Sequence, residues 1–287
     1  MKTAYHPESL SEALEIRANE TVKPIAGGTD LMVQHRREGG IAPDFIDPLL
    51  FLYQIPEIKK VAANKKILSI GSGVLLSKLI DDTQIPKLLR ETVQQMAAVT
   101  TRNVATIGGN ICNASPAADI LPCLYLFNAE VVLQNRQKQR MIPIAEFITA
   151  PGSTLLQDDE LLVEIRIPVE DFDVEKYRKI GTRKAMALSK ISFAAAASFK
   201  GNMLSDIRIS LGAVAPTVVR CLSAERLLIN KTKPEIENKL AGFIKEYEEA
   251  INPIDDARSN KKYRKQVSLE LIQDFIENQI LNHRIIS

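Results

Sequence analysis

The sequence has no tryptophan, three cysteines and three histidines, and no run of about twenty apolar residues of the kind that spans a bilayer. Each shortage excludes something. Cys112, Cys123 and Cys221 fit neither a zinc spacing nor a cysteine-ligated cluster, and an odd count makes a poor disulfide framework. They read as reduced thiols, so no metal and no iron–sulfur cluster is expected in this chain. The N-terminal segment MKTAYHPESLSEALEIRANE lacks the apolar core of a signal peptide. With no membrane span either, the expected location is cytoplasmic. Charge is also nearly absent in net terms: 37 Lys and Arg against 35 Asp and Glu leave +2, with the signs interspersed. That argues against nucleic-acid binding through the phosphate backbone. The basic run NKKYRKQ is short, sits beside acids and reads as a solvated helix start. There is no low-complexity tract and no repeat of fixed period.

What is present is ordinary in bulk: 45% apolar and 25% charged residues over 287 positions, a soluble globular balance with room for about two domains. SLSEALEIRA starts a helix, with Ser9 and Glu12 spaced as a capping box. VKPIAGG is a short strand ending in Gly27-Gly28, and TDLMVQHRREGG continues as a helix that stops at Gly39. IKKVAANKKILSIGSGV is a hairpin turning near Asn64. LLSKLIDD and PKLLRETVQQMA are helical, the second begun by Pro86. The stretch from Ala105 to Asp119, ATIGGNICNASPAAD, reads as a long loop. AEVVLQNRQKQRMIPI is a second hairpin, and DELLVEIRIP a strand ending at Pro168. The acidic, irregular segment 169–175 is a plausible domain boundary. Beyond it KYRKIG, SKISFAAAASFK and SDIRISLGAV are strands, followed by helices near 221–229, 234–250 and 265–283. Strands and helices mix without regular alternation, so the expected class is α+β on both sides of the boundary.

Two glycine pairs carry the chemistry. Strand, double glycine and polar residue before a helix, as in KPIAGGTDL, is a phosphate-cradle arrangement. In the second stretch, Gly108 and Gly109 allow close backbone approach to a ligand, and their N–H groups are expected to form a concavity for anionic oxygens. Thr29, Asn110, Asn113 and Ser115 add neutral hydrogen-bonding groups, and Asp119 is an acceptor suited to ribose hydroxyls. Two such loops suit a diphosphate held between two lobes.

KPIAGGTDL together with RNVATIGGNICNASPAADILP resembles the FAD-binding subunit of molybdenum-containing hydroxylases: the flavoproteins of xanthine dehydrogenase, aldehyde oxidase and carbon monoxide dehydrogenase, and most of all the bacterial xanthine dehydrogenase FAD subunits. YRKIGTRKAMALSKIS, GAVAPTVVRC and DDARSNKKYRKQV resemble that family's C-terminal domain, so the likeness covers nearly the whole chain. It implies a two-lobed FAD-binding domain of the PCMH type over 1–170 and a smaller α+β domain over 174–287. It implies FAD, and NAD or another acceptor; because His6, His35 and His283 lie outside the glycine loops and no cysteine sits in an attachment context, the FAD is expected to be non-covalent. It also implies partners: a molybdopterin-binding large subunit that hydroxylates the substrate and a [2Fe–2S] small subunit. The residues that carry over are Lys23, Pro24, Ile25, Ala26, Gly27, Gly28, Thr29 and Asp30 in the first loop. In the second they are Ala105, Thr106, Ile107, Gly108, Gly109 and Asn110, continued by Ser115 and Asp119. Leu162 matches an apolar residue that packs on the flavin, and Lys179 a basic residue near its ring. Met96 falls where the large xanthine dehydrogenases carry an aromatic neighbour. No catalytic residue and no metal ligand carries over, and the cysteine-rich insertion of some relatives is absent.

Two other readings compete. IGSGVLLS offers Gly71 and Gly73 toward a Rossmann fingerprint, but Leu76 stands where the third glycine belongs. A flavin-free assembly module that keeps the fold is the second. The substrate and the physiological acceptor stay open.

Overall fold

The computed structural model describes residues 4–39, 45–184 and 186–283. They form two compact units, each mixing helices with a predominantly antiparallel sheet.

The first unit comprises Met1–Ile85, Ala97–Ser115 and Asn128–Val169. Its small sheet is parallel, with β1 (Ala4–Tyr5), β2 (Lys23–Ile25) and β3 (Leu49–Phe51) in the order β1-β3-β2. The helix Leu10–Asn19 connects β1 to β2 and buries Ala13 and Leu14. It is capped at one end of the expected box: Ser9 Oγ accepts the Glu12 N–H at 3.2 Å, while the Glu12 carboxylate turns to the Glu8 N–H instead. The larger sheet holds β4 (Val61–Ala63), β5 (Ile67–Gly71), β6 (Glu130–Gln134), β7 (Gln139–Pro143) and β10 (Leu161–Pro168), ordered β4-β5-β10-β6-β7 and antiparallel throughout. Both hairpins turn on asparagine: Asn64 Oδ1 accepts from Lys66 and Ile67, and Asn135 Oδ1 from Gln137 and Lys138. A two-stranded arm, β8 (Ile148–Ala150) with β9 (Ser153–Thr154), leads into β10.

The second unit comprises Pro86–Met96, Pro116–Phe127 and Glu170–Ser287. Two helical segments from before residue 128 thus pack with the C-terminal strands. Its sheet runs β11 (Val174–Ile180), β12 (Ile191–Lys200), β13 (Met203–Gly212) and β14 (Val219–Arg220), with β15 (Lys231–Thr232) also on β13. The helices Leu222–Leu228, Lys233–Ala250 and Lys261–Phe275 cover one face, where Phe193, Ala195, Ile207, Ile209, Phe243 and Phe275 meet. The helix Ile120–Leu126 lies on β12 and β13. Ser210 Oγ donates to Pro122 O at 2.6 Å, and a Cβ on Gly212 would lie 3.1 Å from Pro122 Cγ. Both faces of β12 are therefore covered, which is why ISFAAAA reads as a continuous buried run and why small residues fill it.

Three local expectations fail. The helix after the first glycine pair spans only Leu31–Gln34, well short of Gly39. The 105–119 stretch is not one loop but contains the helix Ile107–Cys112. The last helix starts at Lys261 and passes at Ile276–Leu281 into a wider π turn.

Candidate functional site

The first glycine loop leaves the C-terminal end of β2, beside the parallel strand β3. Gly28 has φ +65°, a left-handed conformation that favours glycine. The N–H groups of Gly27, Gly28 and Thr29 find no protein acceptor among the described residues. Consecutive free amides of this kind form an anion-binding concavity. Gly28 O and Asp30 O accept from Met32 and Gln34, so these two carbonyls are committed while the three amides are not.

The second loop behaves differently. Thr106 caps the helix Ile107–Cys112, its Oγ1 accepting the Gly109 N–H at 3.0 Å. The Ile107 amide is bound to Val74 O, Gly108 to Ser72 O, and Asn110 to Thr106 O, all within 3.1 Å. The expected second amide concavity is therefore not formed: these donors serve the fold. Two of the glycines serve it as well. A Cβ on Gly27 would lie 2.2 Å from Val104 O, and one on Gly108 would lie 2.5 Å from Ser72 Cβ. Their bareness lets chain pack on chain. Gly109 is the open one, with Thr106 Oγ1 at 3.0 Å and next Ala26 Cβ at 3.9 Å.

The two loops border a cleft of about 370 Å³ within the first unit, in the size range of small-molecule sites. It brings together Lys23 to Asp30, Ala105, Thr106, Gly108, Gly109, Asn110 and Leu162 from the sequence expectation. Ile107 is fully buried instead and does not line it. Asn113, named in the sequence as a neutral hydrogen-bonding group, lines it too, and residues missed in the sequence complete the wall: Gln34 among its polar groups, Leu52, Ile58, Leu156 and Leu161 among its apolar ones. Leu161 and Leu162 both line it although strand neighbours ordinarily face opposite ways. Gly73, from the failed Rossmann pattern, lines it too.

Asn110 Oδ1 is buried with no hydrogen-bond partner, a cost unless a ligand supplies a donor. Cys112 also borders the cleft, and burial pushes its thiol up to about 12. Free amides for a diphosphate, an unsatisfied amide carbonyl and an apolar wall together suit a dinucleotide carrying an aromatic ring system. Among the described residues, no group of three or more His, Cys, Asp and Glu is placed to hold a metal ion.

Asp119 and Lys179 lie in the second unit, and there they hold each other. Lys179 Nζ is 2.7 Å from Asp119 Oδ2 and donates to Gln95 O at 3.1 Å, with the paired side chains only 9% and 8% exposed. Ser189 Oγ donates to the other carboxylate oxygen. Asp119 stands at the N-cap position of Ile120–Leu126 but makes no capping bond. Its carboxylate is thus committed to a lysine 60 positions away, a pairing no local pattern signals. Burial, followed by the Asp119 charge, pushes the Tyr177 phenol well above its ordinary range. Met96, buried, belongs to this unit as well, while Ser115 closes the middle segment of the first and does not line the cleft.

The first unit thus carries a glycine-lined cleft, and the second is a sheet covered by helices. Residues 1–170 match the family model of the FAD binding domain in molybdopterin dehydrogenase, and 176–279 match that of the CO dehydrogenase flavoprotein C-terminal domain. The chain belongs to this family, as an FAD-binding subunit of the molybdenum hydroxylases and so a subunit of an oxidoreductase. It is 30% identical over 288 residues to a putative xanthine dehydrogenase FAD-binding subunit of Escherichia coli K12, covering 96% of this chain and 94% of that one. It is 30% identical over 266 residues to the glyceraldehyde dehydrogenase medium chain of Sulfolobus acidocaldarius, covering 91% and 92%. The fold matches a chain of the reconstituted CO dehydrogenase from Oligotropha carboxidovorans with a TM-score of 0.85 at 22% identity, over 96% of each chain. No helix among the described residues is long and apolar enough to cross a membrane.

Proposed function

We propose that this chain binds FAD non-covalently in the first unit's cleft and relays electrons from a [2Fe–2S] subunit to NAD or another acceptor. A molybdopterin-binding subunit of the same cytoplasmic hetero-oligomer hydroxylates the substrate. The observation that carries the reading is the run of free amides at Gly27, Gly28 and Thr29 on the cleft wall. FAD, when bound, supplies a centre that takes up and releases electrons singly or in pairs. The Gly27–Thr29 amides hold its diphosphate. Lys23 adds a cation at the same wall, and Thr29 a hydroxyl. Leu156, Leu161 and Leu162 exclude water from a ring. Met96, Ser115, Asp119 and Lys179 enter the proposal through the family resemblance.

The test is anaerobic rapid mixing of the purified, FAD-loaded chain with NADH, and separately with xanthine. NADH should bleach the flavin and an artificial dye should restore it, while xanthine alone should do nothing. Reduction by xanthine would overturn the division of labour. Failure with NADH alone would move the acceptor to a quinone, ferredoxin or flavodoxin. A chain that never takes up FAD would favour the assembly-module reading.

A further inference from the structure

We propose that Gln34 is a positioning residue that fixes which end of the Asn113 amide faces the cleft, so that Asn113 and Asn110 form a subsite for sugar hydroxyls. This rests on the reading that the cleft holds FAD. Gln34 Nε2 donates to Asp30 Oδ2 at 2.6 Å and to Asn113 Oδ1 at 3.2 Å, and all three residues line the cleft. Chemistry dictates the direction of this relay. An ionised carboxylate only accepts, so Gln34 must turn its NH₂ toward Asp30. That same NH₂ meets Asn113, whose amide can answer only with its carbonyl end. The Asn113 NH₂ is therefore left over, with no partner among the described residues.

Asn110 lies three positions earlier, on the same side of one turn. Its Oδ1 is buried without a partner, an acceptor left over. One spare donor and one spare acceptor suit a group that both donates and accepts, as a hydroxyl does. A phosphate oxygen accepts only and would leave the Asn110 carbonyl facing negative charge. The loops thereby divide the dinucleotide. The Gly27–Thr29 amides take phosphate, and the asparagines take the polyol next to it, either the ribityl chain or the ribose. Gln34 touches both loops, through Asp30 on the first and Asn113 on the second, and nothing in the local sequence pattern marks it.

The experiment is a double-mutant cycle on FAD affinity, with Gln34→Glu, Asn113→Leu and the double variant. Gln34→Glu reverses the relay, because a carboxylate draws the Asn113 NH₂ away from the cleft. Each single change should weaken FAD about tenfold, the size of one hydrogen bond lost in a covered site. The double variant should also lose only about tenfold, since Gln34 acts through Asn113. A product of the two losses, about a hundredfold, would overturn the proposal by showing that Gln34 acts on its own, and so would no loss in Gln34→Glu. The apo chain's melting temperature should be unmoved, because these groups are exposed without ligand. If the added charge lowers it, Gln34→Leu repeats the cycle without charge and is judged by the same coupling. Parallel titrations with FMN and with ADP separate the sources: coupling seen with FMN assigns the ribityl chain, and coupling seen with ADP the ribose. Coupling with neither, while FAD still binds, would overturn the subsite. A wild-type chain that binds no FAD at all defeats the functional reading instead.

Discussion

Replacing Gly27 by alanine should destabilise the chain before any cofactor is added. The new Cβ would sit 2.2 Å from Val104 O and 2.8 Å from both Val104 C and Ala105 Cα. Those are backbone atoms, so no rotamer change relieves the clash. Nor can the segment drift away freely, since Ala105 N–H is bound to Thr101 O at 2.8 Å and Ala105 O to Leu76 N–H at 2.9 Å. Gly27 is not in the left-handed region, so no further conformational cost is added. Overpacking of this kind costs about 1–3 kcal/mol, and a rigid backbone on the far side puts Gly27→Ala toward the upper end. At roughly 2–4 °C per kcal/mol for a chain of this size, the apo melting point should fall by about 4–12 °C. Gly109→Ala is the control. Its Cβ meets only Thr106 Oγ1 at 3.0 Å before Ala26 at 3.9 Å, and alanine improves helix propensity by up to about 1 kcal/mol. Calorimetry of the two apo variants beside wild type checks the difference. An apo Gly27→Ala chain melting with wild type would refute the argument that this glycine serves loop-to-loop packing.

Asp119→Ala should cost roughly 3–5 kcal/mol, the usual penalty for stranding a buried ammonium such as Lys179. Unchanged stability with weakened FAD binding would return Asp119 to a direct ligand role. In the same unit, burial by itself would raise Asp256, but hydrogen bonds from Arg264 and Arg258 outweigh it and hold the carboxyl well below the usual range. A depressed carboxylate stabilises above its unfolded pKa of about 4 and loses that contribution as pH falls below it. Asp256→Asn should therefore cost roughly 2–3 kcal/mol at neutral pH, less than a fully buried pair because Asp256 is 22% exposed. The gap from wild type should close in melts taken below about pH 4, and a pH-independent gap contradicts the ion-pair account. For the thiols, burial pushes Cys112 and Cys123 up to about 12, so brief treatment of the native chain with N-ethylmaleimide near neutral pH should modify Cys221 first by peptide mass spectrometry. Equal labelling of Cys112 would show that the cleft does not desolvate it.

Much of this architecture can be read from local pattern. The asparagine turns, the alternating β10 strand and the two glycine pairs are short-range features, and each lies where its residues suggest. Ile107–Cys112 was illegible because adjacent glycines oppose a helix. The Thr106 cap and the burial of Ile107 and Ile111 override that preference. The packing of Pro86–Met96 and Pro116–Phe127 with the C-terminal strands depends on tertiary contacts, as does the Asp119–Lys179 pair. The two glycine pairs pointed to a cleft but not to the division within it. Only the hydrogen-bond geometry distinguishes the first loop's free amides from the second loop's committed ones. Leu161 escaped notice because strict alternation turns it away from Leu162, yet both line the cleft.

The most direct test of the central claim is equilibrium titration of FAD into the apo chain and into Gly109→Val. Wild type should take up one FAD per chain and show the visible absorption band of bound flavin. The variant places a branched side chain at the open glycine of the second loop, so it should stay folded by circular dichroism and fail to retain the flavin. Stoichiometric, undiminished binding by a folded Gly109→Val, or no binding by wild type, would contradict the assignment of this cleft.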